Sequence, residues 1–359
     1  MYKYKIYKRK LALVIPAHNE ELVIAATIAS AKRAGQPVRD IYVVDDASTD
    51  NTSQIASSLI NPYNVIKVAH SGKAGAIKKA VEFYNLTARY DWIHIADADG
   101  VFGPTYFKVF RQKLNKKYAA ACGHVQSLPG GWISKYRTFE YTIGLEIMRR
   151  LQAWLGTITV IPGPTSCFRS DIFNRLDFDH SSLTEDFDLT VQVHRKKLGK
   201  IAYFPQAKSF TQDPKDFTDF KNQVARWYRG FWQGLQKHSL AMRLQKIDAY
   251  MFFLLAETIV FTVELFLVLL WAALSQNGAT ALANYVIFDI GLMFGWTAFA
   301  AALNNRWDIF RAFPLFYVLR FTNLYLFYKS FFEVIVLGRF KTIKPGWETS
   351  GRRYRIQTR

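Results

Sequence analysis

The sequence predicts an α/β domain of mostly parallel strands followed by transmembrane helices, and three observations carry that prediction. Over the first 246 residues, short apolar runs alternate with helix-like stretches, the pattern of a parallel sheet flanked by helices. From Ile247 to about Leu337 the chain is dominated by Phe, Leu, Val, Ile, Ala and Tyr. The mean hydropathy of −0.02 is therefore an average over two unlike halves.

In the first half, Leu11 to Pro16 is a compact apolar strand, and a helical stretch follows from Asn19 to Ala34. Ile41 to Val44 is the second strand and ends in Asp45 and Asp46. Ser48, Thr49 and Asp50 supply cap chemistry for a helix through Gln54 to Leu59. Val65 to Val68 is a third strand, Ala74 to Tyr84 a helix, and Trp92 to Ile95 a fourth strand ending in Asp97-Ala98-Asp99. Carboxylates thus collect at the C-terminal ends of strands, the edge where open α/β sheets bind ligands.

Composition narrows the class. The 359 residues include 47 Lys and Arg against 28 Asp and Glu, a net charge of +19, with an apolar fraction of 50%. That excludes a disordered or collagen-like chain. Two cysteines, Cys122 and Cys167, are too few for a disulfide framework and read as thiols in a reducing compartment. The basic balance points to nucleic acid or to an anionic membrane surface.

In the second half, Ala249 to Leu274 and Ala281 to Leu303 are each long enough to span a bilayer. Ser275 to Gly278 joins them as a tight turn. Phe313 to Leu337 is a third apolar segment, interfacial or spanning, interrupted by Arg320, Lys329 and Glu333. Each such charge costs roughly 2.5 to 3.5 kcal/mol at the centre of a span. Met1 to Lys10 carries no h-region, and the basic residues Arg306, Arg311 and the seven Lys and Arg of Arg339 to Arg359 should stay inside. The expected organisation is a cytoplasmic domain over 1–246, a membrane region over 247–337 and a basic cytoplasmic tail over 338–359, in a cell membrane. Glu257 and Glu264, on one face of the first span, either line a polar path or pair within a bundle.

Several groups carry candidate chemistry. Asp97 and Asp99, two apart at a strand end, can reach one hard cation, Mg2+ or Mn2+, or form a solvated turn. A cation so held would bridge a diphosphate leaving group. Asp45 and Asp46 either bind a nucleoside or cap the next helix with Ser48. Lys73 lies in a Gly-containing turn before a helix, where an ammonium and backbone N–H groups can meet phosphate. Thr184-Glu185-Asp186 offers a general base, or an acidic helix N-terminus. Gln223, Arg226 and Trp227 share one face of a helix near 218–238. That face suits a phosphate and a sugar ring, and the same helix has the aromatic and basic mixture of a membrane-surface helix.

Taken in order, these pieces resemble the membrane-associated, processive-type family 2 glycosyltransferases, the group of cellulose, chitin, hyaluronan and poly-N-acetylglucosamine synthases. The matching residues are Ile15 to Glu21, Val43 to Thr52, Gly72-Lys73-Ala74, Asp97-Ala98-Asp99, Gly163 with Phe168-Arg169, Thr184-Glu185-Asp186 and Gln223 to Trp227. The resemblance implies a GT-A fold, a nucleotide-sugar donor and an inverting reaction. It places Pro16, His18, Glu20, Asp45 and Asp46 around the nucleoside, Lys73 near the nucleotide, and Asp97 and Asp99 on the metal. Asp186 would be the base, with Glu185 beside it. Gln223, Arg226 and Trp227 would hold the diphosphate and acceptor, and Gly163 would lie near the acceptor. His18 stands where Tyr is commoner. The implied partners are a UDP-sugar, a polysaccharide or glycolipid acceptor, membrane lipids and a translocation partner or second copy, with no nucleic acid. A single transfer to a lipid-linked acceptor is the alternative activity. A basic membrane-tethered binding protein without catalysis is a more distant one.

Overall fold

In a computed structural model that describes residues 9–178 and 182–339, the apolar runs become the centre of an eight-stranded sheet. The basic stretch at 1–8 and most of the tail, 340–359, lie outside the described residues. The strands are β1 (Leu11–Ala17), β2 (Ile41–Asp46), β3 (Val65–Val68), β4 (Trp92–Ile95), β5 (Val101–Phe102), β6 (Tyr118–Ser127), β7 (Ser166–Arg169) and β8 (Lys200–Thr211). Their order is β3-β2-β1-β4-β7-β6-β8-β5. The first four run parallel, β7 is antiparallel to both β4 and β6, and β6 pairs parallel with β8.

Alternation along the strands builds a core on each face. Ala12, Val14, Tyr42 and Val44 pack to one side, and Leu11, Leu13, Ile15, Ile41 and Val43 to the other, as the period of two requires. Covering helices are α1 (Ile24–Arg33), α2 (Thr52–Leu59), α3 (Gly72–Phe83), the short α4 (Leu86–Arg89) and α5 (Tyr106–Lys113). After β6 come α6 (Trp132–Tyr141) and α7 (Met148–Leu155), joined by a π-helical stretch over Thr142–Ile147. α8 (Ser170–Phe173), α9 (Glu185–Arg195) and α10 (Phe217–His238) complete this part.

Beyond it lie α11 (Lys246–Leu274), α12 (Gly278–Asn304) and α13 (Phe313–Phe331). The first two are long and apolar enough to cross a membrane, with mean hydropathies of 2.3 and 1.8 over their most apolar stretches. They form a hairpin, and α12 ends back on the sheet domain. There Asn304 accepts from Gln126 Nε2 at 2.8 Å and donates to Thr142 Oγ1 at 2.7 Å.

α13 lies along α10 and α6, burying Phe316 and Leu319 with Phe220 and Ile133. The charges that interrupt it are paired. Arg320 donates to Asp289 of α12 at 2.8 and 2.9 Å, and Glu333 meets Arg229 of α10 at 2.7 Å. The aromatic side of α10 is likewise covered, with Trp232 Nε1 donating to the Phe327 carbonyl at 3.1 Å. Its exposed residues are Thr218, Asn222, Gln236 and Lys237, all polar. Protein therefore covers the face that the sequence alone could assign to a membrane surface. Glu257 and Glu264 remain exposed on α11.

Candidate active site

At the carboxyl edge of the sheet, a cavity of about 440 Å³ opens between the ends of β4 and β6, the start of α9 and the flank of α10. Asp97 and Asp99 enter it from the loop after β4, and Lys73 from the first turn of α3. Glu185 and Asp186 enter from the first turn of α9, where the helix dipole favours negative charge. Gln223, Arg226 and Trp227 share one side of α10 and close the opposite wall.

Lys73 is the hub. Its Nζ lies 2.6 Å from Asp97 Oδ1 and 2.5 Å from Glu185 Oε1. Burial alone would lower its pKa, but Asp97, Glu185 and Asp186 together raise it, so the ammonium stays charged. Burial would raise Glu185, and the adjacent ammonium overrides it and holds the group low. Asp186 goes the other way. Burial, reinforced by the charge of Glu185, pushes it up to about 6 against the pull of Lys73. Its Oδ2 accepts from the Gly163 N–H at 3.2 Å, and its Oδ1 from the Phe187 N–H at 2.8 Å. Two neighbouring carboxylates thus have divergent proton affinities, the arrangement that separates a structural anion from a working base.

Gly163, at the head of a tight turn before β7, is close to these groups. A Cβ there would lie 2.9 Å from Lys73 Nζ and 3.3 Å from each Asp97 carboxylate oxygen. The site therefore fits its glycine.

The same edge fits a divalent metal. No cluster of three or more His, Cys, Asp or Glu able to hold one is present among the described residues. Mg2+ and Mn2+, however, bind through one or two carboxylates with substrate phosphates completing the shell. Asp97 and Asp99 on the cavity wall are that donor set, and the bare Cα of Gly163 keeps the space beside Asp97 clear.

The other candidate residues do not line this cavity. Asp45 Oδ1 accepts from the Ser48 N–H at 2.6 Å, and its Oδ2 from the Ser53 hydroxyl. Asp46 accepts from the Ser71 N–H at 2.7 Å and the Gly72 N–H at 2.9 Å, anchoring the start of α3. Both are fully buried, so their carboxylates are engaged in turn and helix-start chemistry. Pro16 is buried in β1, and Glu20 is buried just beyond it. His18 Nδ1 lies 2.7 Å from the Asp46 carbonyl, and its ring sits 5.2 Å from that of His70.

Sequence reasoning missed Arg137 of α6. It is 1% exposed yet lines the cavity, donating to Gln223 Oε1 at 2.8 Å and pairing with Glu140. Its guanidinium lies 4.6 Å from the Trp227 ring centroid, within cation–π range. It thereby fixes two of the three residues on the α10 face. Gly230 and Gly234 were missed as well. A Cβ on either would collide, with Thr184 in one case and Phe187 in the other. The Gly-x-x-x-Gly spacing on a helix was the visible signal for that close approach.

The mixed sheet, with a lysine and paired carboxylates at its carboxyl edge, has a GT-A-like fold. Residues 12–177 match the family model for glycosyl transferase family 2, and this matched stretch is a family 2 glycosyltransferase domain. The probable glycosyltransferase YdaM of Bacillus subtilis is 30% identical over 237 residues, 62% of this chain and 55% of its own length. Poly-beta-1,6-N-acetyl-D-glucosamine synthase of Staphylococcus epidermidis is 23% identical over 247 residues, covering 65% and 59%. The chain thus spans little more than half the length of these relatives. Among solved structures, the mannosyltransferase PcManGT of Pyrobaculum calidifontis, in complex with GDP-Man and Mn2+, superposes with a TM-score of 0.61. Its identity is 18%, over 84% of this chain and 88% of that one. That coverage exceeds the first 246 residues, so the shared fold takes in part of the helical region.

Proposed function

We propose that the chain is an inverting glycosyltransferase. It would move a sugar from a UDP-sugar, with UDP-GlcNAc or UDP-glucose favoured, onto a hydroxyl of a growing polysaccharide at the membrane. The observation that carries this reading is Asp186, a half-buried carboxylate held by two backbone N–H groups and raised to about 6 beside a charged lysine. Such a group is ionised at neutral pH and still basic enough to take a proton.

In this reading Asp186 accepts the proton of the acceptor hydroxyl, whose oxygen forms a bond to the anomeric carbon from the face opposite the leaving group. The bond from that carbon to the diphosphate breaks, and the nucleoside diphosphate departs with the electron pair. An α-linked donor thus gives a β-linkage. Lys73 and Arg226 supply fixed positive charge where negative charge develops on the leaving group. Gln223 and Trp227, held by Arg137, orient the acceptor. Asp97 and Asp99 would hold Mg2+ or Mn2+, which when bound supplies Lewis-acid stabilisation of the diphosphate. The poly-N-acetylglucosamine synthases among the relatives support a polymer product. The return of α12 to the sheet domain supports two crossings, with the catalytic part and the end of the hairpin on one, cytoplasmic, side.

A screen of UDP- and GDP-sugars for metal-dependent nucleotide release, with product length measured in nanodiscs, tests the reading. A ladder of products from a UDP-sugar supports it. One extractable glycolipid replaces it with single transfer to a lipid-linked acceptor. No release from any donor would remove the catalytic reading.

A further inference from the structure

Two exposed apolar features meet at the root of α11. On α7, Trp154 is 81% exposed and Leu151 and Leu155 stand on the same side, next to Arg150, which is exposed and pairs with Glu146 at 3.2 Å. In the turn before α11, Met242 is 83% exposed and Leu244 fully so, alternating with exposed Arg243 and followed by exposed Lys246. The two lie at the same end of α11, because Gln152 of α7 donates to the Tyr250 hydroxyl, one turn into that helix, at 3.2 Å.

The turn is held rigidly. Arg195 of α9 donates to the carbonyls of His238 and Ser239 at 3.0 Å each, to Gln245 Oε1 at 3.0 Å, and to both Asp248 carboxylate oxygens at 2.7 and 2.6 Å. Leu240 points inward and is wholly buried. Met242 and Leu244 are therefore presented outward by a clamped backbone. An indole and aliphatic tips mixed with Arg and Lys, at the mouth of an apolar helix, have the composition of a bilayer interface.

We propose that the α7 ridge and the 242–244 tip form a wedge seated in the headgroup layer of an anionic leaflet. This rests on the reading of α11 as a membrane span. The leaflet supplies both halves of the match, acyl chains for the apolar tips and anionic headgroups for Arg150, Arg243 and Lys246.

The test places an environment-sensitive fluorophore on Trp154→Cys and Leu244→Cys in the full chain, in nanodiscs containing phosphatidylglycerol. The native Cys122 and Cys167 are buried. Phe266→Cys on α11 serves as the lipid reference and Tyr63→Cys as the water reference. Blue-shifted emission at 154 and 244, quenched by headgroup-level lipid quenchers, is the expected result, with the shift at 244 smaller for Arg243→Glu. Water-like emission at 154 and 244 with lipid-like emission at 266 overturns the wedge alone. Water-like emission at 266 overturns the span and the wedge together. Shielding at 154 and 244 that persists in detergent and ignores lipid quenchers indicates a protein partner and also overturns the proposal.

Discussion

Two groups of carboxylates stand at the same edge of one sheet, a single strand apart, and have opposite fates. Asp45 and Asp46, ending β2, are buried and occupied by backbone N–H groups and a serine. Asp97, Asp99, Glu185 and Asp186 face a cavity, and Asp97 and Glu185 share Lys73. Asp97 and Asp99 share residue type and strand-end position with the first group, and Glu185 and Asp186 join them from the start of α9. What differs is whether the following turn folds back onto the carboxylate. In the first group the turn after β2, at Ser48, and the turn after β3, at Ser71, do so. In the second, the backbone that approaches Asp97 and Asp186 from across the cavity is that of Gly163, which carries no side chain and leaves room.

The comparison can be broken most sharply at Asp186. Asp186→Asn should lower turnover by roughly 10²- to 10⁴-fold, the usual contribution of a general base, with nucleotide affinity by calorimetry nearly unchanged. Unaltered turnover would remove Asp186 from the role. Asp97→Asn should come next. It should weaken metal-stimulated nucleotide binding by at least about tenfold, the loss that even outer-shell changes around a metal bring, and a titration with Mn2+ reads it.

On the closed side, Asp46→Asn should act on stability. It turns an N–H donor toward the backbone N–H groups of Ser71 or Gly72, costing about 1–3 kcal/mol. A melting curve with no change would show that those bonds matter little. The smallest expected effect is a pH limb. The folded pKa of Asp186 is raised to about 6, so the working anion is present above that value and is lost as pH falls through it. At pH 6, kcat/KM should be about half its plateau. Glu185→Gln removes one of the causes of the rise and should move the limb to lower pH.

Much of this was legible in the sequence, for identifiable reasons. β1, β2 and β4 are apolar, buried runs that end near acidic residues, and β3 is a short β-branched run between polar turns, so local propensity marks all four. β6 is not marked in that way. Its Ala119, Ala120 and Ala121 favour helix, and only pairing with β7 and β8 holds them extended. The cavity residues were visible as motifs because Asp97, Asp99, Lys73, Glu185 and Asp186 are tied to a strand end or a helix start, and Gln223, Arg226 and Trp227 to one helix face. Arg137 was not, since nothing local distinguishes an arginine that will be buried. Its role exists only once α6 lies beside α10. His18 and Glu20, which the motif places at the nucleoside, lie against β2 and α2.

The π-helical stretch between α6 and α7 sets a phase relation between two otherwise ordinary helices. A π-bulge is equivalent to one inserted residue, and each residue advances a helix by about 100°. Relaxation of the segment to α-helix with every residue kept would turn α7 by that angle. Met148 and Leu151 would then occupy the positions of Arg149 and Gln152, and the bonds to the Val160 carbonyl and the Tyr250 hydroxyl would be lost. The wide turn thus keeps the cavity floor and the root of α11 in step.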